Sequence, residues 1–318
     1  MNWESEAGMK TIQEILTSGT AYLQERGVEG ARHSMQSLLV HVLGCNKTWL
    51  YLHFEDPIPE DKLPELRTLL KRRGKGEPLQ HLLGSTEFFR REFRTDARAL
   101  IPRPETEELV ELALSLARRK EGMKVLDMGC GSGVIGITLA LELAKCKPDV
   151  VLADVSEPAI SLALENATAL GAKVRTYRSD LFSAWQETPE STVIPPSHFQ
   201  LVLANLPYVP DGEEVAVEVR HDPATALFGG PDGLDIVRRF LGDARPHLAP
   251  GALVLLEVGH DQGEAVRACM ESLGYTGARV LKDMSGKARF PMGYAAAEFT
   301  QKEEASKTPE ADGDEGLA

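Results

Sequence analysis

The chain has 318 residues, 42% of them hydrophobic and 26% charged, with a net charge of −13 at pH 7. That length predicts two domains at roughly 100–200 residues each, and the composition excludes collagen, a disulfide scaffold and a largely disordered chain. No run reaches the roughly 18 apolar residues a membrane span needs, and the opening MNWESEAGMK lacks the basic-then-apolar layout of a secretory signal, which together predict a cytoplasmic protein without a membrane partner. Residues 1–85 read as a separate helical domain. Ile12, Ile15, Leu16, Tyr22 and Leu23 fall on one helical face that stops at Gly27, and Met35, Leu38, Leu39, Val42 and Leu43 form a second stripe closed by Gly44. A further helix spans 64–73 around Leu66, Leu69 and Leu70. The basic run 71–75 either complements that helix's C-terminal dipole or forms a binding patch. Residues 86–100, TEFFRREFRTDARAL, alternate and are rich in aromatics, which predicts a linking β-hairpin.

Pro104 suits the first turn of a helix, PETEELVELALSLARR, whose early acids and late arginines match the macrodipole. From Met123 the pattern changes. KVLDM, the loop GCGSG and an apolar helix over 134–144 are followed by VVLAD with EPAISLALENATAL, then KVRTYRSD, FQLVLAN and ALVLLEVG, with a closing strand pair at 276–283 and 292–299. Strands alternating with helices predict an α/β fold with a mostly parallel sheet of seven strands. The strands are apolar almost throughout, as expected when both faces are covered. Residues 300–318 read as a disordered acidic tail. Seven acids against two lysines in residues 298–318 account for −5 of the net charge. The remaining acidic body disfavours nucleic-acid phosphates as the main source of affinity.

Four motifs carry chemistry. The loop Gly129-Cys130-Gly131-Ser132-Gly133 lies between a strand and a helix, where glycines let a nucleotide-like ligand approach the backbone in front of a helix N-terminus; the plainer reading is a tight turn with no ligand. A dinucleotide fingerprint needs Gly or Ala at 134, and Val134 stands there, which weighs against a dehydrogenase. Asp154 ends the next strand, 21 residues after Gly133, where a carboxylate accepts both ribose hydroxyls of an adenosine group. Asp180 follows the third strand. It either meets an adenine amino group, with Leu181 and Phe182 against the ring, or caps the next turn. Asn205-Leu206-Pro207-Tyr208 follows the fourth strand and faces the same crevice. An Asn carboxamide oxygen and the adjacent backbone carbonyl accept the two hydrogens of a planar NH₂ group, Tyr208 offers a ring to stack on it and Pro207 fixes the turn; an ordinary turn is the alternative. Cys45, Cys130, Cys146 and Cys269 have no metal-ligand spacing, so no metal is expected.

At these residues the chain resembles the class I S-adenosylmethionine-dependent methyltransferases that act on planar NH₂ groups and carry a [D/N/S]PP[Y/F/W] tetrapeptide here. More narrowly it resembles the peptide chain release factor N5-glutamine methyltransferases, the PrmC/HemK family. The narrower likeness rests on GEPLQHLLGSTEFF at 76–89, LIPRPETEELVE at 100–111, LDMGCGSGVIG at 126–136, EVRHDPATALFGGPDGLD at 218–235 and LLEVGHDQG at 255–263, and it spans residues 10–295. IPRPETE is the most specific block, because the related ribosomal-protein glutamine methyltransferases diverge there. The family usually has NPPY. This chain has NLPY, as do ribosomal RNA adenine dimethyltransferases; the Leu206 carbonyl survives the exchange, so its acceptor role does too.

The resemblance implies a Rossmann-like methyltransferase domain over 101–299, behind a helical substrate-recognition domain and a hairpin that dock the partner. It implies S-adenosylmethionine as cofactor, with Asp127, Gly129, Cys130, Gly131, Ser132 and Gly133 on its methionine side, Asp154 at the ribose, Asp180 and Leu181 at the adenine, and Asn205 beside it. Asn205, Leu206, Pro207 and Tyr208 become the catalytic, substrate-holding residues. Arg103 and Glu105 lie at the cleft rim, as substrate contacts or as a salt-bridged helix start. The implied substrate is the Gly-Gly-Gln loop of a class I release factor, met by a monomer that binds no nucleic acid. The competing readings are an N6-adenine methyltransferase acting on RNA or DNA, a ribosomal-protein glutamine methyltransferase and a catalytically silent binding module.

Overall fold

A computed structural model describes residues 10–186 and 197–297; the acidic tail expected over 300–318 lies outside the described residues. The chain divides into two compact units. The first comprises the residues up to Thr86 together with Arg94–Ala97 and Glu214–Pro223, and the second holds the rest.

In the first unit, α1 (Ile12–Gln24) begins with a capping box in which the Thr11 hydroxyl accepts from the Glu14 N–H and the Glu14 carboxylate accepts from the Thr11 N–H. Helix α2 (Ala31–Leu43) ends at Gly44 in the left-handed conformation. Helices α3 (Lys47–Leu52), α4 (Leu63–Arg73) and α5 (Leu79–Leu83) follow. Leu16, Leu23, Met35, Leu38, Leu39 and Leu70 form the core, as the helical stripes predict. The basic run at the end of α4 is partly structural. Arg73 is buried, and its guanidinium donates to the Ser34 hydroxyl (3.2 Å), the Glu77 carbonyl (3.0 Å) and the Glu218 carboxylate (2.6 Å). Arg72 pairs with Glu77. These contacts withdraw both arginines from the binding-patch reading. The Glu218 contact also shows why residues 214–223, expected in the methyltransferase domain, belong to the helical unit.

The hairpin is shorter than the 86–100 expectation: β1 (Ser85–Phe88) and β2 (Arg91–Arg94). Its two-residue turn places Phe89 and Arg90 at φ +50° and +62°, the left-handed pair that matches strand twist, here without the usual Asn-Gly.

The second unit opens with α6 (Pro104–Leu116), with proline in its first turn. Ala117 turns extended, so the helix ends before Arg118 and Arg119, yet the Arg119 guanidinium reaches back and donates to the Leu114 carbonyl in its last turn (3.0 Å), in line with the expected pairing of late arginines with the dipole. Then come β3 (Lys124–Met128), α7 (Val134–Glu142), β4 (Asp149–Asp154), α8 (Glu157–Leu170), β5 (Arg175–Arg178), β6 (Phe199–Asn205), α9 (Asp235–Ala244), β7 (Leu248–Glu257), α10 (Gly263–Ser272), β8 (Thr276–Lys282) and β9 (Ala288–Tyr294). The closing strand starts four residues before the expected 292. Strand order is β5-β4-β3-β6-β7-β9-β8, and all pairings are parallel except those of β9. Alternate residues feed two core layers. Leu126, Met128 and Val202 pack with Phe240 and Met270 on one face, and Val125, Leu201 and Leu203 pack with Leu109 and Ile137 on the other. The order reverses between β3 and β6, the switch point at which open α/β sheets bind ligands. Among the described residues, no helix is long and apolar enough to cross a membrane.

Candidate active site

Strand register assembles the site. Met128 pairs with Ala153 on β4 and Ala204 on β6, and Asn205 pairs with Glu257 on β7. The glycine loop, Asp154, Asn205 and Glu257 therefore emerge from one edge of the sheet. Gly129 has φ +70°, and a Cβ there would stand 2.8 Å from Leu206 Cδ2; Gly133 has φ +82° and starts α7. Only glycine fits both positions. The Gly129 and Cys130 N–H groups donate to the Ala153 carbonyl (2.8 and 3.0 Å), which seals the loop onto β4. Cys130 and Ser132 are buried, and the Ser132 carbonyl accepts from Asn166 (2.9 Å).

Two acids stand behind this loop. Asp127 is fully buried. Its Oδ2 accepts from the Gly136 N–H (2.8 Å) and its Oδ1 has no hydrogen-bond partner. Burial pushes its carboxyl up to about 7, and the nearby Asp154 carboxylate adds to the rise. Asp154 accepts from the Gly131 N–H (Oδ2, 2.9 Å) and the Ser156 N–H (Oδ1, 2.8 Å), and burial raises its pKa as well. Burial also pushes the Cys130 thiol up, so it is not a nucleophile.

These residues fit S-adenosylmethionine. A buried carboxyl with an orphaned oxygen, Asp127, next to the half-buried Asp154, suits a ligand that carries an ammonium and a sulfonium. Each Asp154 oxygen takes one backbone N–H and keeps a lone pair for a ribose hydroxyl.

Asp180 has a protein partner that the sequence reading did not name. Both of its carboxylate oxygens meet Arg239 of α9 at 3.0 Å in an exposed ion pair, and the turn beyond it is held by the Ser183 hydroxyl, which accepts from the Asp180 N–H (3.1 Å). Leu181 is buried at φ +49°, with its carbonyl accepting from the Ser179 hydroxyl (2.6 Å). Phe182 is a core ring stacked on His247 (4.8 Å between centroids), so it does not offer an open face to adenine.

The tetrapeptide sits over the sheet edge. Leu206 is buried against Gly129. The Asn205 Nδ2 donates to the Thr106 hydroxyl (3.3 Å), which donates to the Glu257 Oε2 (2.8 Å). Burial pushes the Glu257 carboxyl up to about 7. The Tyr208 hydroxyl is pushed up to about 12 by burial and by Glu257, and Arg289, Arg103 and Glu105 also act on it. Glu105 faces Arg289 of β9 (3.9 Å), an ionic partner supplied by the sheet. The Tyr208 carbonyl accepts from Gln262 (2.8 Å), whose amide also binds the Asp232 carbonyl and the Gly259 N–H. Thr106, Glu257, Gln262 and Arg289 were missed from sequence. Glu257 was findable by the rule that singled out Asp154, an acid closing an apolar strand.

The PrmC N-terminal domain model matches residues 14–84 and the Methyltransferase small domain model matches residues 109–219. A release factor glutamine methyltransferase of Deinococcus radiodurans is 36% identical over 281 residues, covering 88% of this chain and 96% of its own. One of Geobacter sulfurreducens is 37% identical over 279 residues, covering 87% and 94%. Among solved structures, a methyltransferase from Pyrococcus furiosus is 18% identical with a TM-score of 0.46, covering 64% of this chain and 88% of that one.

Proposed function

The chain belongs to the release factor glutamine methyltransferases, and on that premise we propose that it methylates the side-chain amide nitrogen of the glutamine in the Gly-Gly-Gln loop of a class I peptide chain release factor. The observation that supports this most is the likeness to relatives of that name over nearly their whole length, the N-terminal helical part included.

Bound at the strand ends, S-adenosylmethionine supplies an electrophilic methyl group. The chain's part is to hold and aim. Asp154 binds the ribose hydroxyls, Asp127 and the loop 129–133 bind the methionine end, and the turn at Asp180 and Leu181 borders the adenine. An amide nitrogen is a weak nucleophile because its lone pair is delocalised into the carbonyl. The Asn205 side-chain oxygen and the Leu206 carbonyl accept its two N–H groups, which fixes its direction and favours positive charge as it develops. The Tyr208 ring lies along the amide plane, with Pro207 setting the turn. Its high pKa keeps the phenol neutral. Arg103 and Glu105 contact the substrate at the rim. The helical unit docks the release factor, and Trp49, Tyr51 and Leu52, all exposed on α3, suit a protein partner. The enzyme works as a cytoplasmic monomer without nucleic acid.

Mass spectrometry of release factors incubated with the enzyme and methyl donor tests this. The expected product is one added methyl on the glutamine of the loop. Asn205→Ala should lower the rate about 10²–10³-fold while S-adenosylmethionine binding persists. Methylation of RNA by the wild type in place of the release factor would overturn the reading.

A further inference from the structure

We propose that Thr106 and Glu257 are positioning residues that hold the Asn205 amide with its NH₂ turned inward, so that its carbonyl oxygen is the atom offered to the substrate amide. The proposal rests on the reading of Asn205 as an acceptor for the glutamine NH₂. Asparagine can meet its surroundings in two orientations that exchange donor and acceptor. Only the one with the oxygen outward can accept a hydrogen from the substrate.

The three groups come from three elements: Thr106 from the first turn of α6, Asn205 from the end of β6 and Glu257 from the end of β7. Thr106 and Glu257 are 3% and 2% exposed, so water does not compete there. Above about pH 7 Glu257 is a carboxylate, which accepts and does not donate. The single Thr106 hydroxyl hydrogen is committed to Glu257 at 2.8 Å, so only its lone pairs face Asn205. The Asn205 Nδ2 lies 3.3 Å from that hydroxyl oxygen and also donates to the Glu257 carboxylate. The reversed amide would set its oxygen against two acceptors, so it would lose the bond to Thr106 and gain none, while the Thr106–Glu257 bond stays as it is.

The test uses the full chain labelled with [¹⁵N]asparagine. Only Asn2, Asn46, Asn166 and Asn205 carry side-chain NH₂ groups of this kind, and the Asn205 pair is identified by its loss in Asn205→Ala. Thr106→Val removes the hydroxyl at nearly constant volume, Thr106→Ser keeps it, and Glu257→Gln replaces an acceptor oxygen with a donor. Calorimetry with S-adenosylmethionine reports that each variant is folded. Thr106→Val and Glu257→Gln should shift the Asn205 NH₂ resonances and lower kcat about 10–100-fold with KM within about threefold, and Thr106→Ser should restore both readouts. Unmoved Asn205 resonances in Thr106→Val, or a Thr106→Ser as impaired as Thr106→Val, would overturn the relay. If Thr106→Val does not fold, Glu257→Gln decides by the same two readouts. A wild type that shows the coupled resonances but no release-factor methylation refutes the substrate and leaves the relay standing.

Discussion

Asp154 already accepts two backbone N–H groups, from Gly131 and Ser156, so it shapes the glycine loop in addition to the ribose role proposed for it. Asp154→Ala should therefore weaken S-adenosylmethionine binding by about 1.5–3 kcal/mol and also lower the melting temperature, because two N–H groups lose an acceptor. Calorimetry and thermal unfolding check the two effects separately; unchanged affinity would remove the ribose role. Leu206 shows the same double duty. From sequence only its carbonyl mattered. In the structure its side chain is 4% exposed and packs on Gly129 within the main core. Leu206→Ala should cost about 2–5 kcal/mol of stability. Leu206→Pro should cost less, because the pyrrolidine ring refills part of the space and Leu206 is not one of the residues with a positive φ that proline could not take. Urea denaturation of both variants orders them, and equal losses would show that the side chain alone matters.

Between elements, the side chain of Gln262, just before α10, ties α10 to the turn that carries Tyr208. Its amide bridges the Tyr208 carbonyl (2.8 Å), the Asp232 carbonyl (3.2 Å) and the Gly259 N–H (2.9 Å). Gln262→Ala leaves these backbone groups without that partner at about 1–3 kcal/mol for each that water cannot reach. The turn that carries Tyr208 loosens, so kcat/KM should fall while S-adenosylmethionine affinity stays near wild type. Steady-state kinetics beside calorimetry checks this, and a parallel loss of both would point to general unfolding. The hairpin teaches a related lesson. Phe89 and Arg90 take left-handed backbone angles that no composition rule predicts for them, and the Phe89 N–H donates to Glu107 of α6 at 2.8 Å. Tertiary contact, not turn propensity, sets that corner.

At the scale of the molecule, the acidic site leaves a mark on pH dependence. The Asp127 carboxyl lies well above its ordinary value in the folded state, at about 7. The folded protein then binds more protons than the unfolded chain between about pH 4 and 7, so this group's contribution is fully present below the unfolded pKa and is lost as pH rises through the folded one. His81 acts in the opposite sense: burial lowers its pKa, so its contribution is lost as pH falls. The clean observable is a difference. Relative to Asp127→Asn, whose amide oxygen still accepts from Gly136, the wild type should lose roughly 1 kcal/mol per pH unit across that window. Denaturant unfolding at several pH values measures it, and parallel curves would show that Asp127 titrates normally.

The α/β alternation, the strands buried on both faces and the glycine loop with its positive φ were legible in the sequence, because each follows from local periodicity or from a backbone conformation only glycine adopts; of the acids closing strands, Asp154 was singled out and Glu257 was not. The helical unit's stripes were legible for the same reason, although its share of the chain was not: residues 214–223 join it through the ion pair of Glu218 with Arg73, 145 positions away. Tertiary structure alone decided which partner each polar group meets. Asp180 turned to Arg239, Glu105 to Arg289, and Asn205 to Thr106 and Glu257. Such pairings depend on strand order and register, which bring the ends of β6 and β7 together across 52 residues of chain. Nothing in either segment encodes its neighbour locally, since hydrophobic burial sets the sheet order and the polar groups then satisfy one another at its edge.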